Sequence, residues 1–487
     1  MAKVLFIAIN DFQAEGLRTL SACLKQKGHQ SSIILFKKYQ LFSVSNKEVQ
    51  NYDWIGIDAK GRQFRFSRGP EPTSIENDLL LSLIKEIKPQ LIGFSVVTPL
   101  RKRAGEITKL IKKNFTVPII WGGPDPTISS EECLEFCDYV CIGEGEEAIA
   151  EIANSIDKNK NVKETNNLAY LENGKLIRNP LNPLISDLDT IPFKDISSEN
   201  QYLIEDNVLT RNISWVNNTE NNRFFLVSSR GCPYNCSYCC EDFYKNLYIH
   251  QKFLRRRSVQ NVVQELEEAK KSINYKEVLF EDEVFSFDYE WLEKFKDLYV
   301  KRINLPFICY IYPNRDIEKI LKTLKESGLF STCLAIQSGS ERINKEIFFR
   351  KFSKDLFLQT AQILKSLGIA FYSDIITFNP FETENDLKAT LNILSELPKP
   401  FHISVNKLYT LKGTKIFDIV NKKVNESGNR YQIPERIFYY YARLFWLATR
   451  YDKRIINLIL RIRIFKYFPM LFDVSRKLLS LQKMLRQ

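Results

Sequence analysis

Phe225-Leu226-Val227-Ser228-Ser229-Arg230-Gly231-Cys232-Pro233-Tyr234-Asn235-Cys236-Ser237-Tyr238-Cys239-Cys240 sets an apolar run directly against a loop carrying four cysteines. The run Phe225–Ser228 reads as a strand, and the loop opens where it ends. Further apolar runs follow toward the C-terminus at Glu277–Glu281, Phe307–Ile311, Cys333–Gln337, Ala370–Ile376 and His402–Leu408. Helical patterns fall between them at Val259–Lys271, Tyr289–Val300, Asp316–Ser327, Lys354–Leu367 and Glu384–Leu397. Strands alternating with helices predict a parallel barrel or partial barrel, whose functional residues gather at the carboxyl ends of the strands.

Toward the N-terminus a second alternation appears. Strands are expected at Val4–Ala8, Ser32–Phe36, Leu91–Val97, Val117–Trp121 and Tyr139–Ile142. Helices are expected at Ala14–Lys27 (ending at Gly28), Asn77–Ile87, Lys102–Lys113, Ser129–Phe136 and Glu146–Ile156. Short apolar strands between amphipathic helices predict an α/β, doubly wound parallel sheet that binds ligands at its strand ends. Residues 157–221 break the rhythm with many Asn, a hairpin signal at Glu172-Asn173-Gly174, and Pro180, Pro183 and Pro192. They read as a connector with little core of its own. The expected organisation is thus 1–156, 157–221, 222–410 and a helical, basic region at 411–487.

The 487 residues are 44% hydrophobic and 26% charged, with only 18 Gly and 18 Pro, which excludes a disordered or collagen-like chain. From Ile437 to Gln487 there are eleven Lys/Arg against two Asp, so +9 of the total +12 lies in the last 51 residues. Charge therefore says little about what the main body binds, and no nucleic-acid module accompanies it. The stretch from Arg454 to Pro469 mixes Ile, Leu and Phe with Arg and Lys. It reads either as a peripheral contact with an anionic membrane or as a helix packed on the barrel with a solvated basic face. No apolar run reaches the length of a membrane span, and Met1 to Ile7 leads into a strand without a secretory signal. A cytoplasmic location is expected, where ten cysteines serve metal binding or catalysis better than disulfides.

Cys232, Cys236 and Cys239 place three thiolates in one loop. A cuboidal [4Fe–4S] cluster held by three thiolates keeps one iron open to a small molecule, since four is the usual complement. A zinc loop is the alternative reading, although zinc calls for a fourth Cys or His and the chain has only His29, His250 and His402. Cys133, Cys137 and Cys141 run from a helix into a strand and read as core.

The loop resembles that of the radical S-adenosylmethionine (SAM) superfamily. On that resemblance Cys232, Cys236 and Cys239 hold the cluster, the open iron chelates the methionine part of SAM, and Tyr238 packs near the adenine. Phe280-Glu281-Asp282-Glu283-Val284-Phe285 resembles the acidic segment after the second strand, which makes Asp282 and Glu283 partners of the SAM amino group. Ala335-Ile336-Gln337-Ser338-Gly339-Ser340-Glu341-Arg342 resembles the segment after the fourth strand, which assigns Gln337, Ser338 and Glu341 to the ribose and carboxylate. Asn379-Pro380-Phe381-Glu382-Thr383 resembles a Pro-Gly-Glu-Thr turn, with Phe381 in place of Gly.

The N-terminal region resembles the Rossmann-like cobalamin-binding domains fused ahead of radical SAM domains. The resemblance rests on Asp11-Phe12-Gln13-Ala14-Glu15-Gly16, Ser95-Val96-Val97, Trp121-Gly122-Gly123-Pro124-Asp125-Pro126-Thr127 and Gly143-Glu144-Gly145-Glu146. It implies that Asp11, Gln13, Gly16, Ser95, Gly122 and Gly123 surround cobalamin, with Ser95 donating to the nucleotide tail. Gln13 stands where members of the family carry a cobalt-ligating histidine, so no protein imidazole on cobalt is expected. Together the resemblances imply a (β/α)6 partial barrel behind a cobalamin domain. They imply methyl transfer to an unactivated carbon of a small-molecule or lipid substrate, through a 5′-deoxyadenosyl radical and with an electron donor such as flavodoxin or ferredoxin. Radical cyclisation or rearrangement is the second reading, and a non-catalytic cobalamin- or cluster-binding protein the third.

Overall fold

The computed structural model describes residues 1–11, 13–37, 42–43, 55–57, 63–65, 71–213, 222–427 and 431–461. Its first sheet has a parallel centre in the spatial order Gln30–Phe36, Lys3–Ile9, Leu91–Ser95, Ile119–Gly122, Tyr139–Cys141. Lys3–Ile9 is buried at every position after Lys3, as expected of a strand covered on both faces. Successive connections leave Lys3–Ile9 in opposite directions, so a crevice opens between its carboxyl end and that of Leu91–Ser95. The helix Ser74–Ile87 starts with a capping box of Thr73 and Glu76. Lys37 Nζ reaches Glu76 at 2.7 Å, which ties that helix to the end of Gln30–Phe36.

The stretch 157–221 is more than the connector expected. The predicted hairpin forms as Leu168–Glu172 with Lys175–Arg178 and extends one side of the sheet beyond Tyr139–Cys141. Gln201–Glu205, paired with Val208–Arg211, extends the other side beyond Gln30–Phe36. These strands have no core of their own because they complete one that already exists, with Leu168 and Leu203 buried among residues of Lys3–Ile9 and Gln30–Phe36. The chain between them lies against the second region. Lys194 Nζ joins Glu15 at 2.8 Å and donates to the Phe225 carbonyl, and Asp189 accepts from Ser258 N at 2.9 Å.

The second sheet carries six parallel strands in sequence order: Arg223–Leu226, Glu277–Phe280, Phe307–Tyr310, Leu329–Cys333, Ala370–Thr377 and His402–Lys407. The fourth lies four residues ahead of its expected place at 333–337. Gly328 ends the preceding helix in a left-handed conformation, and Leu329 enters the sheet at once. Gln337 keeps a single bridge, to Ile375. Beyond His402–Lys407 the sheet continues into the N-terminal segment: Ile55–Ile57 pairs antiparallel with it, Gln63–Arg65 follows, and Phe42–Ser43 ends the row. The expected boundary at residue 156 therefore does not separate the two sheets.

The C-terminal region is helical where described, at Lys415–Ser427, Glu435–Ala448 and Lys453–Arg461. Ile456 and Ile459 sink into the barrel core and Lys453 pairs with Glu396 at 2.8 Å, so this part packs on the barrel. Residues 462–487, which carry the rest of the basic stretch, lie outside the described residues. Among the described residues no helix is long and apolar enough to cross a membrane.

Candidate active site between the two sheets

The cysteine loop is closed at its base. Ser229–Arg230 pairs antiparallel with Arg255–Arg256, so residues 231–254 leave the barrel as one excursion. Gly231 turns the chain at φ +87°, where a Cβ would meet the Phe253 carbonyl oxygen at 2.6 Å. Cys232, Cys236 and Cys239 are each partly exposed, and Cys239 N closes a turn onto the Cys236 carbonyl at 3.1 Å. Burial pushes the Cys232 thiol up to about 11, and the charges of Glu283, Glu241 and Cys236 act in the same direction. Cys239 is raised by its hydrogen bond to Cys240 and then by burial. Thiols of this kind become thiolates when a cation joins them, and iron is such a cation. Among the described residues no three His, Cys, Asp or Glu side chains are grouped around one metal ion. A cuboidal cluster takes its thiolates on separate irons, so its ligands need not converge on a point.

Tyr238 lies edge-on to Phe348, with ring centres 5.0 Å apart, and packs on the cluster of Ile343, Ile347 and Leu408. Around the acidic segment the structure separates neighbours. Asp282 is sealed, accepting from Ser228 N at 3.2 Å, Ser228 Oγ at 2.7 Å and Ser229 Oγ, so it anchors the cysteine loop and is not free for the amino group expected of it. Glu281 and Glu283 face the space between the sheets instead. Burial, with the charge of Glu15, raises Glu281 to about 7; burial, with Asp282, raises Glu283.

Gln337 adopts φ +58°, and its Oε1 is buried with no hydrogen-bond partner, an acceptor left for a ligand. Ser338 and Glu341 depart from expectation. Ser338 is buried, its Oγ accepting from Ser340 N at 3.2 Å. Glu341 is exposed because the turn points its neighbours inward, Ser340 and Arg342 both binding Asp386 at 2.5 and 2.6 Å. Glu382, in the Pro-Phe-Glu-Thr turn, is buried and accepts from Asn379 N at 3.1 Å.

A cavity of about 430 Å³ lies between the sheets. Gly16, Ser95, Gly122 and Gly123 line it from the first sheet, with Cys141 and the loop Gly143–Glu146. Arg230, Gly231, Glu241, Tyr244, Tyr248, Arg255, Glu281 and Glu283 line it from the barrel side. A Cβ on Gly122 would have only Cys141 Cβ within 4 Å, at 3.7 Å, so this strand end offers the bare backbone that a broad flat ligand needs. Asp11 and Gln13 do not line the cavity. Asp11 Oδ1 accepts from Gln13 N and Ala14 N at 3.1 and 3.0 Å, and the Gln13 carbonyl accepts from the buried Arg18 Nε at 2.8 Å. The Asp11 carboxylate and the Gln13 backbone shape the turn into the helix Glu15–Gln26. None of the three histidines reaches the cavity: His29 is buried between Ala2 N and Asn154 Oδ1, each at 3.2 Å, and His250 and His402 are exposed elsewhere.

The groups that join the halves were not singled out from sequence. Glu144 binds Arg230 at 2.9 Å, Arg255 at 2.8 Å and Ile185 N at 2.9 Å, and Glu146 binds Arg230 at 2.5 Å. Burial alone would raise Glu144, but the Arg255 hydrogen bond and the Arg230 charge outweigh it and hold the carboxyl below its usual range. Tyr244 and Tyr248, one helical turn apart in and just after the helix Cys240–Leu247, project into the same space, a spacing that sequence did carry.

The comparisons agree with this arrangement. Residues 226–394 match the Radical SAM superfamily and residues 71–153 match the B12 binding domain. The chain is 26% identical over 326 residues to an uncharacterized methyltransferase, PH0819, of Pyrococcus horikoshii, covering 65% of this chain and 66% of that one. It is 24% identical to the anaerobic magnesium-protoporphyrin IX monomethyl ester cyclase of Rubrivivax gelatinosus (65% and 57%). It is also 24% identical to the cytidylyl-2-hydroxyethylphosphonate methyltransferase of Streptomyces wedmorensis (63% and 61%). The matches thus span 57–66% of the length of these relatives. In fold it resembles the radical SAM methyltransferase TsrM of Kitasatospora setae, solved with cobalamin and a [4Fe–4S] cluster, at TM-score 0.64 and 14% identity over 88% of this chain and 76% of that one. The cobalamin-dependent radical SAM enzyme OxsB gives a TM-score of 0.60 at 17% identity, over 88% and 56%. Residues 71–153 and 226–394 thus match a B12 binding domain and a Radical SAM domain in this order, the arrangement expected of a cobalamin-binding radical SAM enzyme.

Proposed function

We propose that this protein is a cobalamin-dependent radical SAM methyltransferase acting on a small molecule in the cytoplasm, with electrons supplied by a donor such as flavodoxin or ferredoxin. The observation that carries the reading is the cavity, which sets the glycine-lined strand ends of the first sheet opposite Glu283 and the base of the cysteine loop at Arg230 and Gly231. With a [4Fe–4S] cluster, SAM and cobalamin bound, the cofactors supply radical hydrogen abstraction and a transferable methyl group. The protein supplies position and enclosure. Cys232, Cys236 and Cys239 would ligate the cluster; Glu283 and Gln337 would orient SAM; Gly122, Gly123, Ser95 and Gly16 would admit the corrin. Tyr244 and Tyr248, which line the cavity, would shield it from water.

The test is whether the reconstituted, reduced protein converts SAM to 5′-deoxyadenosine and passes a deuterated methyl group from SAM into an acceptor. SAM cleavage with no label transferred to any acceptor would favour the cyclisation or rearrangement reading, to which the cyclase relative belongs by name. No cleavage at all would leave a binding protein.

A second expectation concerns cobalt. With every histidine outside the lining of the cavity, no imidazole of this chain would be placed to bind the cobalt of a cobalamin held there. The Co(II) electron paramagnetic resonance spectrum should therefore be the same for protein grown on ¹⁴N and on ¹⁵N. A change in axial splitting on protein labelling would show a nitrogen ligand from the chain.

A further inference from the structure

The inner wall of the barrel carries a polar patch that no assignment so far uses. Along Ala370–Thr377, Phe371 and Ile375 face the helices within the barrel core, as do Ile403 and Val405 of His402–Lys407. Strand alternation therefore sends Tyr372, Asp374 and Ser404 to the inner face. Pairing places them side by side: Tyr310 beside Cys333, Cys333 beside Tyr372, and Asp374 beside Ser404. All but Cys333 are partly exposed although they lie on strands flanked on both sides, so the space they meet is the lumen.

The hydrogen bonds in the patch run one way. Asn406 Nδ2 donates to Ser404 Oγ at 2.9 Å, Ser404 is hydrogen-bonded to Asp374, and Cys333 Sγ donates to Asp374 Oδ2 at 3.4 Å. Tyr310 and Tyr372 share a hydrogen bond below. A carboxylate offers about four acceptor positions, so two internal donors leave Asp374 able to accept from a guest. Tyr310 also feels the charge of Glu281, which lines the cavity between the sheets, so the patch lies within electrostatic reach of that cavity.

We propose that Asp374, flanked by Ser404, Tyr372 and Tyr310, is the specificity-determining wall of the substrate chamber, and that it takes a polar substrate presenting an amino or hydroxyl donor rather than a lipid chain or a carboxylate. The proposal rests on the reading of the protein as a radical SAM methyltransferase and narrows its substrate. An acyl chain would leave the remaining acceptor positions of Asp374 buried and unfilled, and a carboxylate would set further acceptors against them. A donor satisfies the wall and gains a charge-assisted hydrogen bond.

The experiment uses four probes on the reconstituted full-length protein: benzylamine, benzyl alcohol, benzoate and octanoate, followed by saturation-transfer NMR. Benzylamine and benzyl alcohol are expected to bind and the two carboxylates not. Asp374→Asn should weaken benzylamine about tenfold, the loss of roughly one charge-assisted hydrogen bond. Benzoate or octanoate binding as well as benzylamine overturns the proposal, as does unchanged benzylamine affinity in Asp374→Asn. Should that variant fail to fold, Ser404→Ala and Tyr372→Phe carry the test, each expected to weaken benzylamine about threefold; no change in either overturns it. Formation of 5′-deoxyadenosine is measured separately on the wild-type preparation. Its absence would count against the radical SAM reading, and the probe measurements would stand apart from it.

Discussion

Cys236→Ala protein, reconstituted anaerobically, is expected to retain less than about a tenth of the wild-type iron and sulfide and to form no 5′-deoxyadenosine. The same holds for Cys232→Ala and Cys239→Ala. Three thiolates are already one fewer than the usual four, and a cluster held by two has little to keep it from solvent and chelators. Cys240→Ala is the control. Cys240 opens the helix Cys240–Leu247, while Cys239 caps it in an extended conformation, so the two side chains leave the backbone in different settings. Cys240→Ala should keep a full cluster. Iron and sulfide analysis with the visible absorption spectrum decides the matter: a full cluster in Cys236→Ala, or none in Cys240→Ala, would defeat the ligand assignment.

Gly122→Leu should cost at least about 100-fold in cobalamin affinity, close to 2.7 kcal/mol, while the fold and the cluster persist. The room around Gly122 makes the outcome selective. The first atom of a new side chain meets Cys141 Cβ at an ordinary 3.7 Å, so the protein itself accepts it, and the remaining carbons enter the cavity. Gly143 would be a poor choice. It sits at φ +78°, and a Cβ there would lie 1.8 Å from Tyr248 Oη, so a substitution would test folding rather than binding. Titration of hydroxocobalamin into the two proteins, followed by desalting and absorbance, gives the comparison. Equal retention by Gly122→Leu would mean that the corrin lies elsewhere.

The alternation of apolar runs and helices was enough to read both sheets, because strands buried on both faces are short and apolar throughout. On one edge of the first sheet the hairpin was signalled by Glu172-Asn173-Gly174 but its place in the sheet was not, and on the other edge the strands were missed. Val208–Arg211 is largely exposed, and nothing in its pattern set it apart from the connector around it. In the acidic segment the signal was present but not used. Side chains at a strand end alternate, so Glu281 and Glu283 share one face while Asp282 takes the other, and the structure follows that rule. Asp11 and Gln13 matched a motif by position, yet local hydrogen bonds claimed the carboxylate of one and the carbonyl of the other. The Glu144, Arg230 and Arg255 group could not be read from the chain. Its members stand 86 and 111 positions apart, and only the folded arrangement brings them together.

That same group has a bearing on how the protein matures. Arg230 is two residues ahead of Cys232, and its partners Glu144 and Glu146 belong to the loop that lines the corrin side of the cavity. On the proposed reading, a corrinoid entering the cell's pool of apoprotein settles against a loop already fastened to the iron-binding excursion. Iron delivery fixes that excursion and, through the guanidinium, the corrinoid's seat. Whatever advantage one delivery confers on the other is returned in equal measure, because the coupling between two binding events is reciprocal. Scarcity of either nutrient would then be felt as a shortage of both prosthetic groups in the finished protein.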